Sequence, residues 1–189
     1  DEYMRTTDSN IFAVGDCAQK RDFVTRARVS TMLASTACAE ARIAGMNLFA
    51  LNVVKTFSGT IAMYSTAIGD TGFGTAGITE ARAIAEGIDT VTGTFEGIDR
   101  HPGNLPGAHK QLVKLVVARQ AGVIIGGEVI AGLSAGELTN VIGLIIQNRM
   151  SVNSLLTAQI GTHPCLTASP AGYPLIKAAE IIAGKIRIK

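Results

Sequence analysis

Apolar and polar positions follow two different patterns along the chain, and these patterns divide it into two parts. Residues 10–15 are a short apolar run ending in Gly15-Asp16, which predicts a strand buried on both faces. Apolar residues recur at helical spacing over residues 30–49 and predict a long helix rich in small side chains. No further strand–helix pair follows, although a doubly wound sheet needs several of them. We therefore interpret residues 1–52 as the C-terminal piece of a domain whose main body lies upstream.

The pattern from residue 53 onward is typical of an α+β domain. Runs of β-branched and aromatic residues predict strands at 53–68, 88–98, 110–119 and 123–131, the last two joined as a hairpin. Cap residues and apolar spacing predict helices at 79–86, at 134–149, after Ser151, and from Pro170 or Pro174 to Lys185. We expect an antiparallel sheet with helices on one side, and we interpret residues 53–189 as a domain that can fold alone.

Composition and charge exclude several classes of protein. Of the 189 residues, 47% are hydrophobic and 17% are charged, which excludes a disordered chain. A net charge of +2, with 5% aromatic residues and no Trp, gives no support for nucleic-acid binding. Cys17, Cys38 and Cys165 are odd in number and widely spaced, so neither a disulfide scaffold nor a zinc site is predicted.

The apolar excess does not predict a membrane span. The longest apolar stretch, residues 123–146, is interrupted by Glu128, Glu137 and Asn140. Its uninterrupted runs are shorter than the roughly 20 residues that a spanning helix needs. We therefore expect a cytoplasmic protein, and we expect part of its apolar surface, notably at 123–146, to be buried in a homodimer.

One glycine pattern imitates a nucleotide-binding loop. Residues 72–77 spell G-x-G-x-x-G after a probable strand and before a helix, with Glu96 nineteen residues beyond Gly77. The helix that follows is barely two turns long, and the later strands form a hairpin instead of parallel strand–helix–strand units. In a chain with 21 glycines such a match arises easily, so we favour an ordinary turn and helix cap.

The pair Gly15-Asp16 is the more informative motif. An Asp at the carboxyl end of a parallel strand lies where α/β sheets bind ligands, and its carboxylate can accept hydrogen bonds from sugar hydroxyls. The N–H groups at the start of the following helix would face electron-rich atoms of the same ligand. By itself a Gly-Asp pair at the end of a strand is more often a plain turn.

The neighbours of this pair resemble the second FAD motif of the FAD- and NAD(P)-linked disulfide oxidoreductases. Thr6 matches the threonine that begins the motif, and Ile11, Phe12, Ala13, Gly15 and Asp16 match its end in order. Residues 33–47 are similar to the helix that follows in the family, with Ala41 in place of the usual Gly. The remainder, from about residue 53, resembles the family's C-terminal dimerisation domain, in particular that of the NADH oxidases and coenzyme A-disulfide reductases.

The resemblance implies a set of cofactor-binding residues. Gly15 and Asp16 would meet the ribityl hydroxyls of FAD, and the amides of Leu33, Ala34 and Ser35 would face the pyrimidine end of the flavin. NAD(P)H would be the substrate of the intact enzyme, a homodimer attached to upstream FAD- and NAD-binding domains. The family's redox cysteine belongs to those upstream domains, and Cys17 is expected to be a buried bystander.

The resemblance does not extend to catalysis by the histidines. His163-Pro164 resembles the His-Pro that some family members place beside the partner's flavin, but Ala168 stands where those enzymes have the supporting Glu. We therefore predict no catalytic residue and no metal site in this chain. The resulting hypothesis is a flavoprotein fragment that is inactive by itself. The alternative is a non-enzymatic α+β interaction module, in which residues 1–50 would be well packed without a missing partner.

Overall fold

A computed structural model describes residues 1–52 and 56–187, which group into two compact units, Asp1–Ala62 and Met63–Lys189. The first unit contains a 3-10 turn at Gly15–Cys17, strands β1 (Lys20–Arg21) and β2 (Arg28–Val29), and helix α1 (Ala34–Met46). The predicted domain boundary after residue 52 adjoins residues 53–55, which lie outside the described residues together with the start of the strand predicted at 53–68. The boundary therefore stays a prediction.

The strand predicted at residues 10–15 is not part of a sheet in the first unit. Its one ladder contact is an isolated bridge between Arg5 and Phe12, and Ile11 is exposed. An apolar run of this kind becomes a central strand only when neighbouring strands cover both of its edges and both of its faces. The described part of the first unit has no such strands, because β1 and β2 pair only with each other.

The second unit is a five-stranded antiparallel sheet with two long helices on one face. Its elements are β3 (Met63–Ile68), β4 (Thr71–Gly77), α2 (Glu80–Ala85), β5 (Thr90–Ile98), β6 (Lys110–Ala118), β7 (Val123–Ala131), α3 (Ala135–Gln147), α4 (Val152–Leu156) and α5 (Pro174–Arg187). The strand order is β3-β4-β7-β6-β5, with every neighbouring pair antiparallel. Helix α3 packs on β3, β4 and β7, and α5 packs on β5 and β6. The predicted α+β class is confirmed.

The core lies between the sheet and these two helices. Alternate residues of β6 point to opposite faces, so Val113, Leu115 and Val117 are fully buried beneath the helices. Ile142 of α3 and Ile182 of α5 are buried from the other side of the same layer. The intervening Leu112 and Lys114 belong to the opposite face, to which the short α2 contributes Glu80.

Strand β4 is an element that the sequence pattern missed. Its sequence, TGFGTAG, contains the G-x-G-x-x-G match, where we favoured an ordinary turn and helix cap. The glycines are required because α3 lies directly on them. A Cβ added to Gly74 would be 1.8 Å from Thr139 Oγ1, and one added to Gly72 would be 2.6 Å from Ala135 Cβ. Residues 72–77 therefore form a ladder strand and not a phosphate-binding loop.

Two of the polar residues that precede helices of the second unit cap them, and a third does not. The Thr79 hydroxyl accepts a hydrogen bond from the Arg82 N–H at 3.2 Å, and Ser151 caps α4 in the same way. Ser134 precedes α3 as predicted, but its backbone is already helical and its side chain makes no cap bond. A helical φ and ψ turns the hydroxyl away from the amides that it would otherwise cap.

The contact between Gly74 and α3 yields a stability prediction. We expect Gly74→Ala to lower the stability of the second unit by about 1–3 kcal/mol, the usual cost of overpacking a dense core. Adding Thr139→Ala should recover part of this loss, because it removes the oxygen that the new methyl group meets. Gly184→Ala is the control, since an added Cβ there meets nothing within 4 Å. Thermal unfolding followed by circular dichroism measures all three, and an undiminished midpoint for Gly74→Ala would contradict the account.

Candidate functional site

Asp16 lies at the surface of the first unit, directly after a glycine with an unusual backbone. Gly15 is buried and has a φ of +70°, a conformation that favours glycine. The side chain of Asp16 is exposed, and among the described residues it has no hydrogen-bond or ion-pair partner. Its carboxylate is therefore free to accept hydrogen bonds from a ligand.

Gly15 is held by a closed set of hydrogen bonds, called here the Gly15 ring, which consists of Gly15, Lys20 and Glu40. Glu40 Oε2 accepts two hydrogen bonds, one from the Gly15 N–H and one from Lys20 Nζ, each at 2.8 Å. Lys20 Nζ also donates to the Gly15 carbonyl oxygen. The Lys20 and Glu40 side chains are only 4% and 2% exposed, so the ion pair is shielded from water.

The start of α1 also has the properties that the sequence predicts for a cofactor contact. Leu33 precedes the helix in an extended conformation and its side chain does not cap it. Ala34 and Ser35, in the first turn, are exposed. The first amides of a 13-residue helix thus carry the positive end of its dipole without a side-chain cap. The five predicted cofactor-binding residues remain a prediction, and their geometry is compatible with it.

Among the described residues, the other reactive side chains that the sequence singles out are Cys17 and His163. Cys17 is exposed, which corrects the expectation that it is buried. The Nδ1 atom of His163 accepts the Cys165 N–H at 3.2 Å, and the His163 N–H donates to Thr167 Oγ1 at 3.0 Å. Ala168, in the place of the family's Glu, is buried. Within the described residues, no group of three or more His, Cys, Asp or Glu side chains could hold a metal ion.

The outer surface of α3 is a candidate contact surface in the second unit. Glu137 is the only charged residue among the 13 residues of this helix. Leu144 is 58% exposed on the outer side, and Leu133, just before the helix, is 99% exposed. A helix that meets only water normally carries more charge on its outer side, which makes this surface a candidate for contact with another protein.

The sheet face opposite α3 and α5 holds a cavity of about 440 Å³. Its lining includes the large side chains of Tyr64, Phe73, Leu112 and Ile130. Lys114 also lines it, forming ion pairs with Glu80 and, at 3.5 Å, with Glu128. The hydrogen bond with Lys114 lowers the pKa of Glu80, and the same bond raises the pKa of Lys114.

Sequence reasoning missed Lys20 and Glu40. Lys20 lies shortly after the Gly15-Asp16 motif, and Glu40 lies in the helix predicted at residues 30–49. Charged side chains in such segments are normally solvated. A signal did exist, because Glu40 falls on the side of α1 that also carries the buried Thr36 and Ala44. A glutamate at such a helical position predicts a buried partner of opposite charge.

The model of the pyridine nucleotide-disulphide oxidoreductase dimerisation domain matches residues 63–171. This match covers more than half of the chain and lies within the second unit. The chain therefore belongs to the pyridine nucleotide-disulphide oxidoreductase family. No helix within the described residues is both long and apolar enough to cross a membrane.

Individual relatives extend the likeness to the first unit. The NADH oxidase of Methanocaldococcus jannaschii is 26% identical over 191 aligned positions, covering all of this chain and 41% of the relative. A NAD-dependent persulfide reductase from A. fulgidus superposes with a TM-score of 0.86 at 27% identity, over 98% of this chain and 34% of that one. The water-forming NADH oxidase of Lactobacillus brevis, bound to NADH, gives 0.86 at 26% identity, over 99% and 40%. The chain thus spans about two fifths or less of the length of these relatives.

The ion pairs of Lys114 lead to a prediction about pH. Because the pKa of Glu80 is lowered in the folded state, its bond with Lys114 stabilises the fold above the unfolded pKa and is lost as the pH falls through the folded pKa. We expect Glu80→Gln to cost less than about 1 kcal/mol at neutral pH, since both side chains are partly exposed. The difference from the parent chain should shrink as the pH falls below the ordinary pKa of a glutamate and vanish once the pH is below the lowered pKa of Glu80.

The control for this measurement is Glu96→Gln, which removes a more exposed pair with Lys110. Urea unfolding at several pH values measures both variants against the parent chain. If the Glu80 variant lost the same stability below the lowered pKa of Glu80 as at neutral pH, the stabilisation would not come from the charged carboxylate.

Proposed function

We propose that this chain supplies part of the FAD site and the homodimer interface of a flavoprotein oxidoreductase of the NADH oxidase or disulfide reductase type. In this proposal the upstream part of the same protein provides the first FAD motif, the NAD(P)H-binding domain and the redox cysteine. The chain by itself is then inactive. The observation that carries the proposal is the exposed, unpartnered carboxylate of Asp16 after a buried glycine, within a match to the second FAD motif.

The exposed apolar side chains of the first unit support the proposal that another part of the protein covers them and completes the site. Ile11, Met32 and Phe49 are exposed, Phe49 at 94%. A self-sufficient small unit would bury side chains of this size, because each contributes about 1.5–3 kcal/mol when removed from water. This exposure favours the fragment over the stand-alone interaction module, which requires a well-packed N-terminal segment.

The residues present fit the flavin that the family implies. The Asp16 carboxylate would accept hydrogen bonds from the ribityl hydroxyls, and the amides at Leu33, Ala34 and Ser35 would donate to oxygen and nitrogen atoms of the ring. The positive end of the α1 dipole would favour negative charge at that end of the flavin. When bound, FAD supplies the electron transfer from NAD(P)H to the acceptor.

The homodimer is proposed to form through the outer surface of α3. A two-fold axis brings the same patch of each copy together, so a sparsely charged helix surface is self-complementary. The only formal charge within the helix, on Glu137, is close to its N-terminus, and Leu144 lies nearer the centre of the outer surface. The sheet face is less suitable as the centre of such a contact, since it carries the charges of Lys114, Glu80 and Glu128.

The proposed inactivity of the chain by itself leads to a prediction about flavin binding and NADH oxidation. After incubation with FAD and desalting, the purified chain should show no flavin absorbance and should not oxidise NADH above the rate of an equal amount of free FAD. The physical reason is that one carboxylate and one helix end make too few contacts to hold the cofactor. A sample that stayed yellow and consumed NADH would contradict the proposal that the chain is inactive alone.

The proposed homodimer leads to a prediction about the mass of the protein in solution. Light scattering at micromolar concentration should give twice the chain mass of 19.7 kDa. Leu144→Glu should weaken the dimer by roughly 100-fold or more, because two carboxylates would be buried against each other without partners. Ile84→Glu, on the 70%-exposed position of α2, is the matched control and should stay dimeric. A parent chain that is monomeric at this concentration would refute the dimer, and a dimeric Leu144→Glu chain would refute this interface.

A further inference from the structure

The Gly15 ring accounts for the orientation of a side chain that has no anchor of its own. Asp16 makes no side-chain hydrogen bond or ion pair among the described residues, so only its backbone can fix its direction. We propose that Lys20 and Glu40 are positioning residues, which hold the Gly15 peptide and thereby aim the Asp16 carboxylate at the ribityl chain of FAD. This inference rests on the proposed flavin role of Asp16.

The hydrogen bonds of the ring restrict both backbone torsions of Gly15. Its N–H is bound by Glu40, which α1 carries, and its carbonyl is bound by Lys20, which β1 carries. Rotation about either torsion would break one of these bonds. Glycine alone would leave this point of the chain the most mobile, since it lacks a Cβ and occupies both signs of φ. The ring therefore fixes the backbone conformation of Gly15, and this in turn fixes the direction in which the Asp16 side chain leaves the backbone.

A contribution to stability is a weaker explanation for this ion pair. Replacing a buried pair by apolar side chains of similar volume is often neutral or stabilising, because both charges lose their hydration. The pair is nevertheless buried, and its remaining hydrogen bonds go to the N–H and the carbonyl oxygen of a single residue, Gly15. Its specific contribution is thus the conformation of Gly15.

The test separates positioning from stability by removing both charges together. In Lys20→Met/Glu40→Leu the volumes are retained, so we expect a folded chain whose melting temperature falls only through the two hydrogen bonds that the buried Gly15 N–H and carbonyl lose. The Gly15 amide, having lost a hydrogen bond to a charged group, should exchange with deuterium roughly 10-fold faster or more. Thr36→Val is the control: it removes the buried bond to Thr60 Oγ1 in the same unit and should leave the Gly15 exchange rate unchanged.

The second readout is a titration of the full chain with millimolar FAD, followed by the amide resonances. The parent chain should show a shift of the Asp16 amide resonance, Asp16→Asn should abolish it, and the double variant should reduce it at least several-fold. If the double variant does not fold, Glu40→Gln replaces it, because the amide oxygen still accepts the Gly15 N–H while the ion pair is lost. Its Gly15 amide should then exchange faster than in the parent, and its FAD response should lie between those of the parent and of Asp16→Asn.

The outcomes distinguish this inference from the proposed function. Parent-like Gly15 exchange in the charge-free variant, or an unreduced FAD response despite faster exchange, would overturn the positioning role. Equal FAD responses of the parent and Asp16→Asn, or no response of the parent, would overturn the flavin role of Asp16. In that case the exchange rates alone would still show whether the ring fixes Gly15.

Discussion

The close approach of α3 and α5 to one face of the sheet is the constraint on which the second unit depends. Side chains of β6 and β7 fill the layer between them, and glycines occur where a helix lies too near for a Cβ. Gly93 meets the backbone of Ala178 in α5, as Gly74 meets Thr139 in α3. Dense packing of this kind makes the helix positions depend on single methyl groups. The placement of α3, and hence of its sparsely charged outer surface, follows from the strand glycines.

Buried hydrogen bonds, more than apolar packing, determine the structure of the first unit. It has few paired strands and much exposed apolar surface, and its most specific contacts are polar. Buried hydrogen bonds join Glu40 to Gly15, and Thr36 to Thr60 at 2.6 Å between hydroxyl oxygens. A dense apolar core tolerates few alternatives, but in a small unit buried polar groups must be satisfied in one particular way. Local geometry around Asp16 can therefore be specified even where the surrounding hydrophobic core is incomplete.

These two kinds of organisation correspond to the two proposed tasks. A contact between copies needs a broad, rigid surface, which a sheet-backed helix supplies. A cofactor contact needs a few groups in fixed directions, which a turn clamped by charged side chains supplies. Belonging to the pyridine nucleotide-disulphide oxidoreductase family links the two tasks in one protein.

The sequence by itself determined the class of fold, most strands and helices, and the position of the Gly15-Asp16 motif. These features depend on periodicity, turn residues and caps, which are local in the chain. Only the tertiary structure decided that residues 71–77 are a strand, that Ile11 is exposed, and that Lys20 and Glu40 are buried as a pair. Each of these features depends on residues distant in sequence. Helix α3 lies on Gly74, and Lys20 is twenty residues from Glu40. Among the described residues, no strand of the first unit covers residues 10–15. A local pattern records the preference of a residue, but the partner that overrides that preference is set by the packing of the whole unit.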